Sequence, residues 1–325
     1  MKTLRFQDYP TSLARTEYDN VIDRVLAHLS GLEIVRGVYQ AGAVREPGIS
    51  DLDLICVFQN TGSLTVNIHN LLPEQDRRVL THGLFGIRHD DICDARRFNF
   101  ISGIKHLAGT DETARFFSCE TEKEVKKQLA LEYLLKMYFT LAIQLRYGVI
   151  KLRSFLLEAR ALLFDLELLD YQHHPLYQLI KDVILVRQRW FIEQPPDKEL
   201  SKLVFAVQAN LTQLLLELLS EQDFYLPDHG LKVAKNIRLE QAAHLSIQCQ
   251  GISLPQMLSF LGKRFYSIQN RLNDYVVQVP FSVPASDSIY AQRFQYYERI
   301  RTDHNRHLPH FIPFTSSLRL FYESR

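Results

Sequence analysis

Apolar positions recur at two different periods along the chain, and the change of period divides it. Over residues 18–29 (YDNVIDRVLAHL) apolar side chains fall at i, i+3 and i+4, the spacing of an amphipathic helix. Residues 33–40 (EIVRGVYQ) are rich in β-branched and aromatic side chains and predict a strand. Residues 41–50 contain Gly42, Pro47 and Gly48 and predict a turn. Residues 52–58 (LDLICVF) predict a buried strand, a helical stretch follows near 64–80, and residues 84–92 predict a third strand. The order helix, strand, turn, strand, helix, strand is that of a mixed α/β or α+β domain.

From about residue 122 helical periods dominate, over residues 122–169, 176–191, 198–222 and 254–277. The segments QPPD (194–197) and LPDHG (226–230) predict breaks between them. This half predicts a helical bundle. Beyond residue 279 prolines and aromatics are frequent and few clear periods remain. The expected organisation is an α+β head over residues 1–120 and a mostly α-helical C-terminal domain, with an irregular tail, over 121–325.

Composition changes this picture little. A chain of 325 residues is longer than one compact core usually organises, which agrees with two domains. The formal net charge is +1, so a long nucleic acid is not an expected partner, because phosphate-tracking surfaces are strongly basic. Cys56, Cys93, Cys119 and Cys249 are scattered without a C-x-x-C spacing, and free thiols in a reducing compartment are expected. The opening residues carry charges throughout, so no secretory signal is expected. No run approaches the roughly 18 uninterrupted apolar residues of a membrane helix. Residues 203–219 come nearest and are broken by Gln208, Asn210, Gln213 and Glu217. A cytoplasmic protein with no membrane partner is expected.

Chemistry concentrates in residues 38–58, VYQAGAVREPGISDLDLICVF. Asp51 and Asp53 stand two apart at the opening of a strand, so their side chains share one face while Leu52 and Leu54 point to the other. Adjacent carboxylates repel unless a cation lies between them. Such an oxygen pair suits Mg²⁺, or Mn²⁺, held through carboxylates and substrate phosphates. The turn at Gly42 can present backbone N–H groups to a phosphate.

This segment resembles the signature of the DNA polymerase β-like nucleotidyltransferase superfamily, in which an apolar strand leads to Gly followed by Gly or Ser, a spacer, and Asp-apolar-Asp/Glu. The matching pieces here are Gly42-Ala43, the spacer 44–50 and Asp51-Leu52-Asp53. Gly48-Ile49-Ser50 is similar to bacterial members. Ala43 departs from the pattern and lacks the hydroxyl that would contact the terminal phosphates. The resemblance covers residues 15–110 or thereabouts. It implies a mixed or antiparallel sheet, with Asp51 and Asp53 as metal ligands and Gly42, Ala43 and Ser50 bordering the nucleotide. A third carboxylate is implied from a neighbouring strand, with Asp91 and Asp94 of HDDICDA (89–95) as candidates. The implied reaction transfers a nucleoside monophosphate from an NTP, ATP by default, to a hydroxyl of a small molecule or protein. The alternative is a catalytically degenerate member that binds nucleotides or proteins.

Within residues 132–169, Arg146, Arg153 and Arg160 recur every seven positions and fall on one helical stripe. The stripe lies away from an expected solvent face of Lys136, Gln144, Tyr147, Lys151, Ser154, Glu158 and Asp165. Two readings stand: Arg146 and Arg153 grip the triphosphate, or the arginines form structural ion pairs. A helix break at Gly148 would take Arg146 out of phase.

Overall fold

The computed structural model describes residues 4–101, 103–227, 231–315, 317–318 and 321–322. The chain forms two compact units. The head comprises Thr11–Lys126 and Gln292–Thr315; the other unit comprises Met1–Pro10, Lys127–Ala291 and Ser316–Arg325. Neither unit is the contiguous stretch expected from the change in period.

In chain order, β1 (Arg5–Gln7) precedes α1 (Arg15–Leu29), β2 (Val35–Ala41) and β3 (Asp53–Phe58). Two one-turn helices follow, α2 (Ile68–Leu71) and α3 (Glu74–Arg77), then β4 (Phe85–Arg88), α4 (Ile92–Phe98), β5 (Ile104–Gly109) and α5 (Thr113–Phe117). Next come α6 (Lys123–Tyr147), β6 (Val149–Lys151), α7 (Leu152–Leu168), α8 (Pro175–Arg189) and α9 (Asp197–Glu221). The remainder holds β7 (Leu231–Ala234), β8 (Ile237–Gln241), β9 (Ser246–Gly251), α10 (Lys263–Arg271) and β10 (Asn273–Val279). Last are α11 (Ile289–His307), β11 (Ile312–Pro313) and β12 (Phe321–Tyr322).

The head sheet has the order β11-β4-β3-β2-β5. β2 runs antiparallel to both neighbours, whereas β4 lies parallel to β3. Helix α1 starts where Glu17 reaches back to accept the Ala14 N–H at 2.6 Å, satisfying one donor left over at the helix entrance. Its apolar stripe of Tyr18, Val21, Ile22, Val25 and Leu29 packs on Val38, Leu52, Leu54, Cys56 and Phe58. Ile55 and Val57, on the opposite face of β3, are also fully buried, so this strand is central in depth as well as in order.

The last piece of the head returns to the same core. Leu308 and Phe311 join the cluster, with Phe311 edge-on to Phe58 at 4.7 Å between ring centroids. β4 is shorter than the predicted third strand. It ends at Arg88, and His89–Asp91 form a 3₁₀ turn that leads into α4. Residues 64–80, expected as one helix, give only α2 and α3, because Leu72-Pro73 between them is extended.

The predicted helix over residues 122–169 is two helices with a strand between them. Gly148 takes a left-handed φ of +66°, and its carbonyl accepts the Arg5 N–H at 2.9 Å. The residues that follow pair in parallel with β1. This break removes the shared phase of the arginines and places three residues of the expected solvent face inside. Gln144, Tyr147 and Asp165 are buried. Gln144 accepts the Lys151 N–H at 2.8 Å, and the Tyr147 hydroxyl bonds to that of Tyr275.

Helices make up more than half of residues 121–325, but the C-terminal domain is not the helical bundle expected. It contains a five-stranded sheet of order β12-β7-β8-β10-β9. The predicted helix over residues 254–277 is a 3₁₀ helix (Gln256–Leu261), α10, and then β10. The β-branched and aromatic run Tyr275, Val276 and Val277 is buried as a strand flanked on both sides. Part of the predicted LPDHG break, residues 228–230, lies outside the described residues. Among the described residues α9 is the one helix long and apolar enough to cross a membrane. Its stripe of Leu200, Val204, Val207, Leu211, Leu214 and Leu218 is buried within the unit.

Candidate metal centre

Four features of the head bring titratable side chains to the leading edge of β3. The turn before it is pinned from α1: the Tyr18 hydroxyl accepts the Gly48 N–H at 3.0 Å and donates to the Ser50 carbonyl at 2.7 Å. The Leu52 N–H donates to the Val79 carbonyl at 3.0 Å, which draws the segment before β4 alongside Asp51. Leu52 and Leu54 are fully buried on the α1 side, so Asp51 and Asp53 point to the other. Between the buried Leu80 and Leu84 the chain bends and presents Thr81 and His82.

His82 completes the group. Its Nε2 lies 2.8 Å from Asp53 Oδ1 and 3.8 Å from Asp51 Oδ2. One ligand atom from each of the three residues falls within 4.8 Å of the others. Nδ1 of His82 lies 3.1 Å from the Gly83 carbonyl, which can only accept, so Nδ1 carries the proton and Nε2 faces the carboxylates. The ring also rests against Phe85, 4.9 Å between centroids. The Thr81 hydroxyl donates to Asp51 Oδ2 at 3.1 Å.

Electrostatics reflect the crowding. Burial raises the Asp51 pKa, the charge of Asp53 raises it further, and His82 and Thr81 offset only part of this. For His82, burial favours the neutral ring, but the hydrogen bond and charge of Asp53, with Asp51 behind it, raise the pKa overall. The imidazolium therefore supplies the positive charge that the carboxylate pair requires. A divalent cation would serve the same need. Two carboxylates and an Nε2 whose partner nitrogen is anchored on a backbone carbonyl form a recognisable donor set. The imidazole favours Mn²⁺ over Mg²⁺, which prefers oxygen ligands throughout.

The other expected site residues lie as follows. Gly42 adjoins the centre, because its neighbour Ala41 pairs with Asp53 across the sheet. It has φ +66° and open space around it. Its N–H, however, donates to the Gly103 carbonyl at 2.9 Å, so that amide ties the turn to the start of β5 and does not point at a phosphate. Ala43 is exposed. Ser50 is buried and accepts the Glu46 N–H at 3.3 Å, a turn-building role.

Asp91 and Asp94 are not brought to the pair. They follow the C-terminal end of β4, whereas Asp51, Asp53 and His82 gather where β3 and β4 begin. Both pair with Arg299, Asp91 at 2.5 Å and Asp94 at 3.3 Å. Arg146 and Arg153 fall on different helices, α6 and α7, with Arg146 exposed and Arg153 half-buried. The residue that sequence reasoning missed is His82. Its only local signal is a metal-ligand type just before a strand; register against β3 is what makes it meaningful.

No protein-family model, curated protein or solved structure matches this chain.

Proposed function

We propose that the head is a divalent-metal-dependent nucleotidyltransferase. It transfers a nucleoside monophosphate from an NTP, ATP by default, to a hydroxyl of a small molecule or protein. The observation that carries this reading is the convergence of Asp51, Asp53 and His82 beside the Gly42 turn. These three residues would hold the ion. When bound, such an ion neutralises the phosphates of the donor and acidifies the acceptor hydroxyl.

The chain's own contribution is orientation. Buried Leu52 and Leu54 fix the strand that carries both carboxylates. Thr81 holds one oxygen of Asp51, and the Gly83 carbonyl keeps the Nε2 lone pair of the neutral His82 ring directed inward. Because Ala43 lacks a hydroxyl and the Gly42 amide is already engaged, little of the turn remains to grip the donor's phosphates. Nucleotide affinity should therefore depend strictly on metal.

A second reading draws on the 2.8 Å contact between His82 and Asp53. Here the imidazolium permanently takes the place of the metal, and the head is a catalytically degenerate binding module.

Calorimetric titration separates the two. Mn²⁺, Mg²⁺ and a non-hydrolysable ATP analogue would be added to the wild type and to D51N/D53N, H82A and D91N/D94N variants. The enzyme reading expects Mn²⁺ to bind more tightly than Mg²⁺ and nucleotide to bind only with metal. It expects D51N/D53N to abolish binding and H82A to weaken Mn²⁺ at least about tenfold. D91N/D94N should bind like the wild type. A wild type that takes up neither metal would leave the module reading standing.

A further inference from the structure

The fold joins two cysteines that the sequence keeps apart. Cys93 lies in the first turn of α4, and Cys119 follows α5; both are partly exposed. They meet at Ser118. Its hydroxyl oxygen lies 3.7 Å from Cys93 Sγ and 3.9 Å from Cys119 Sγ, while its proton is donated to the Arg115 carbonyl at 2.8 Å. Both sulfurs thus face one hydroxyl oxygen, and the nearby Cys93 thiol is the first cause raising the Cys119 pKa.

The approach is held from outside the pair as well. Just beyond Cys119, the Thr121 hydroxyl lies 2.8 Å from the Arg96 carbonyl and 3.1 Å from the Asn99 carbonyl, at the far end of α4. Glu122 pairs with Arg97 at 3.0 Å. The segment after α5 is thus fastened along α4, and both sulfurs are held at the Ser118 hydroxyl before any bond forms between them. Disulfide formation needs this closeness of the thiol-bearing segments.

We propose that Cys93 and Cys119 form a redox modification site, closed to a disulfide by exchange with a small-molecule disulfide. One cysteine loses its proton and attacks a sulfur of the oxidant, expelling one small thiolate and leaving a mixed disulfide. The second cysteine, deprotonated in turn, attacks the protein sulfur of that mixed disulfide and expels the second small thiolate. Two protein thiols are oxidised to one disulfide, and one small disulfide is reduced to two thiols. A metal is the poorer fit, because among the described residues no third histidine, carboxylate or cysteine completes a ligand set around them. The closed loop would enclose β5, the strand whose start receives the Gly42 amide. Cys56, buried in the core and held protonated by that burial, and Cys249, bonded to Asn273 at 3.3 Å, provide internal controls.

The test is to equilibrate the reduced full-length chain with oxidised glutathione, alkylate the remaining thiols, and map peptides by mass. The expected product has lost the mass of two hydrogens, carries a cross-link between the Cys93 and Cys119 peptides, and leaves Cys56 and Cys249 alkylated. Its melting temperature should rise by a few degrees, because the cross-link restricts the unfolded chain. In the C93S and C119S variants the remaining cysteine should stop at the glutathione adduct. Stable glutathione adducts on both cysteines of the wild type, or both thiols left reduced under conditions that oxidise a control dithiol, would overturn the proposal. This result does not depend on the metal centre.

Discussion

At the residue scale, Asp165 shows how far burial can oppose the apparent polarity of a position. It sits on α7, is buried, and has an Oδ2 with no hydrogen-bond partner. Burial holds its carboxyl well above the ordinary value, and the charge of Lys136 offsets only part of this. The folded state retains a proton that the unfolded chain releases. The stability this group contributes is therefore complete below the unfolded carboxylate pKa and is lost as the pH climbs through the folded one. An Asp165→Asn substitution mimics the protonated form and removes the dependence. The advantage of the variant over the wild type in unfolding free energy should grow with pH above the carboxylate range. The growth should be no steeper than about 1.4 kcal/mol per pH unit. Denaturant titrations at a series of pH values measure this, and a constant difference would contradict it. Legibility at this scale follows periodicity. Asp51 and Asp53 could be found because a strand alternates strictly. Asp165 falls on the expected solvent face only when its helix is phased through Gly148, where the helix does not continue. His82 was invisible because its partners are remote in sequence.

At the element scale, the junction between β4 and the returning helix α11 is settled by one arginine. The side chain of Arg88 is 7% exposed, and every one of its nitrogens is engaged. Nε donates to Asp303 at 2.8 Å, one terminal nitrogen to the Gln59 carbonyl at 2.8 Å, and the other to the Gly62 carbonyl at 3.0 Å. Arg88→Met would leave Asp303 and two carbonyls without their donor, at a cost of about 3 kcal/mol. Arg299 contrasts with it. Its side chain is 55% exposed although it pairs with Asp91 and Asp94, and Arg299→Ala should cost about 1 kcal/mol or less. Equilibrium unfolding of the two variants tests the ranking; equal losses would mean that burial does not govern this junction. α1, β2 and β3 were legible because each buries a face set by its own local period. Residues 122–169 were not, because the helical period runs on through Gly148 and periodicity alone does not mark the break there. The period alone predicts helix at β10, because a short apolar run carries no sign of the strands that flank it.

At the scale of the whole molecule, the head is assembled from distant parts of the chain. All three residues of the proposed metal centre lie within Thr11–Lys126, yet the head also includes Gln292–Thr315. That segment supplies β11 to the edge of β4, Asp303 to Arg88, and Leu308 and Phe311 to the core. Removing a buried Phe side chain costs about 3–5 kcal/mol, and a buried Leu about 2–5 kcal/mol. Together with an orphaned Arg88, this approaches the whole stability of an ordinary domain, about 5–15 kcal/mol. A chain ending at Ala291 should therefore lose a cooperatively folded head and bind no metal, although every proposed ligand is still present. Hydrogen exchange at the β2 and β3 amides measures this directly. Those amides are paired in the intact sheet and should exchange at unfolded rates in the truncated chain. Adding a peptide of residues 292–315 should return protection to the same amides. Protection that survives truncation would mean that residues 11–126 fold alone and that the returning segment merely covers them. The sequence pattern offered no warning of this dependence, because contiguity along a chain says nothing about which distant segment completes a core.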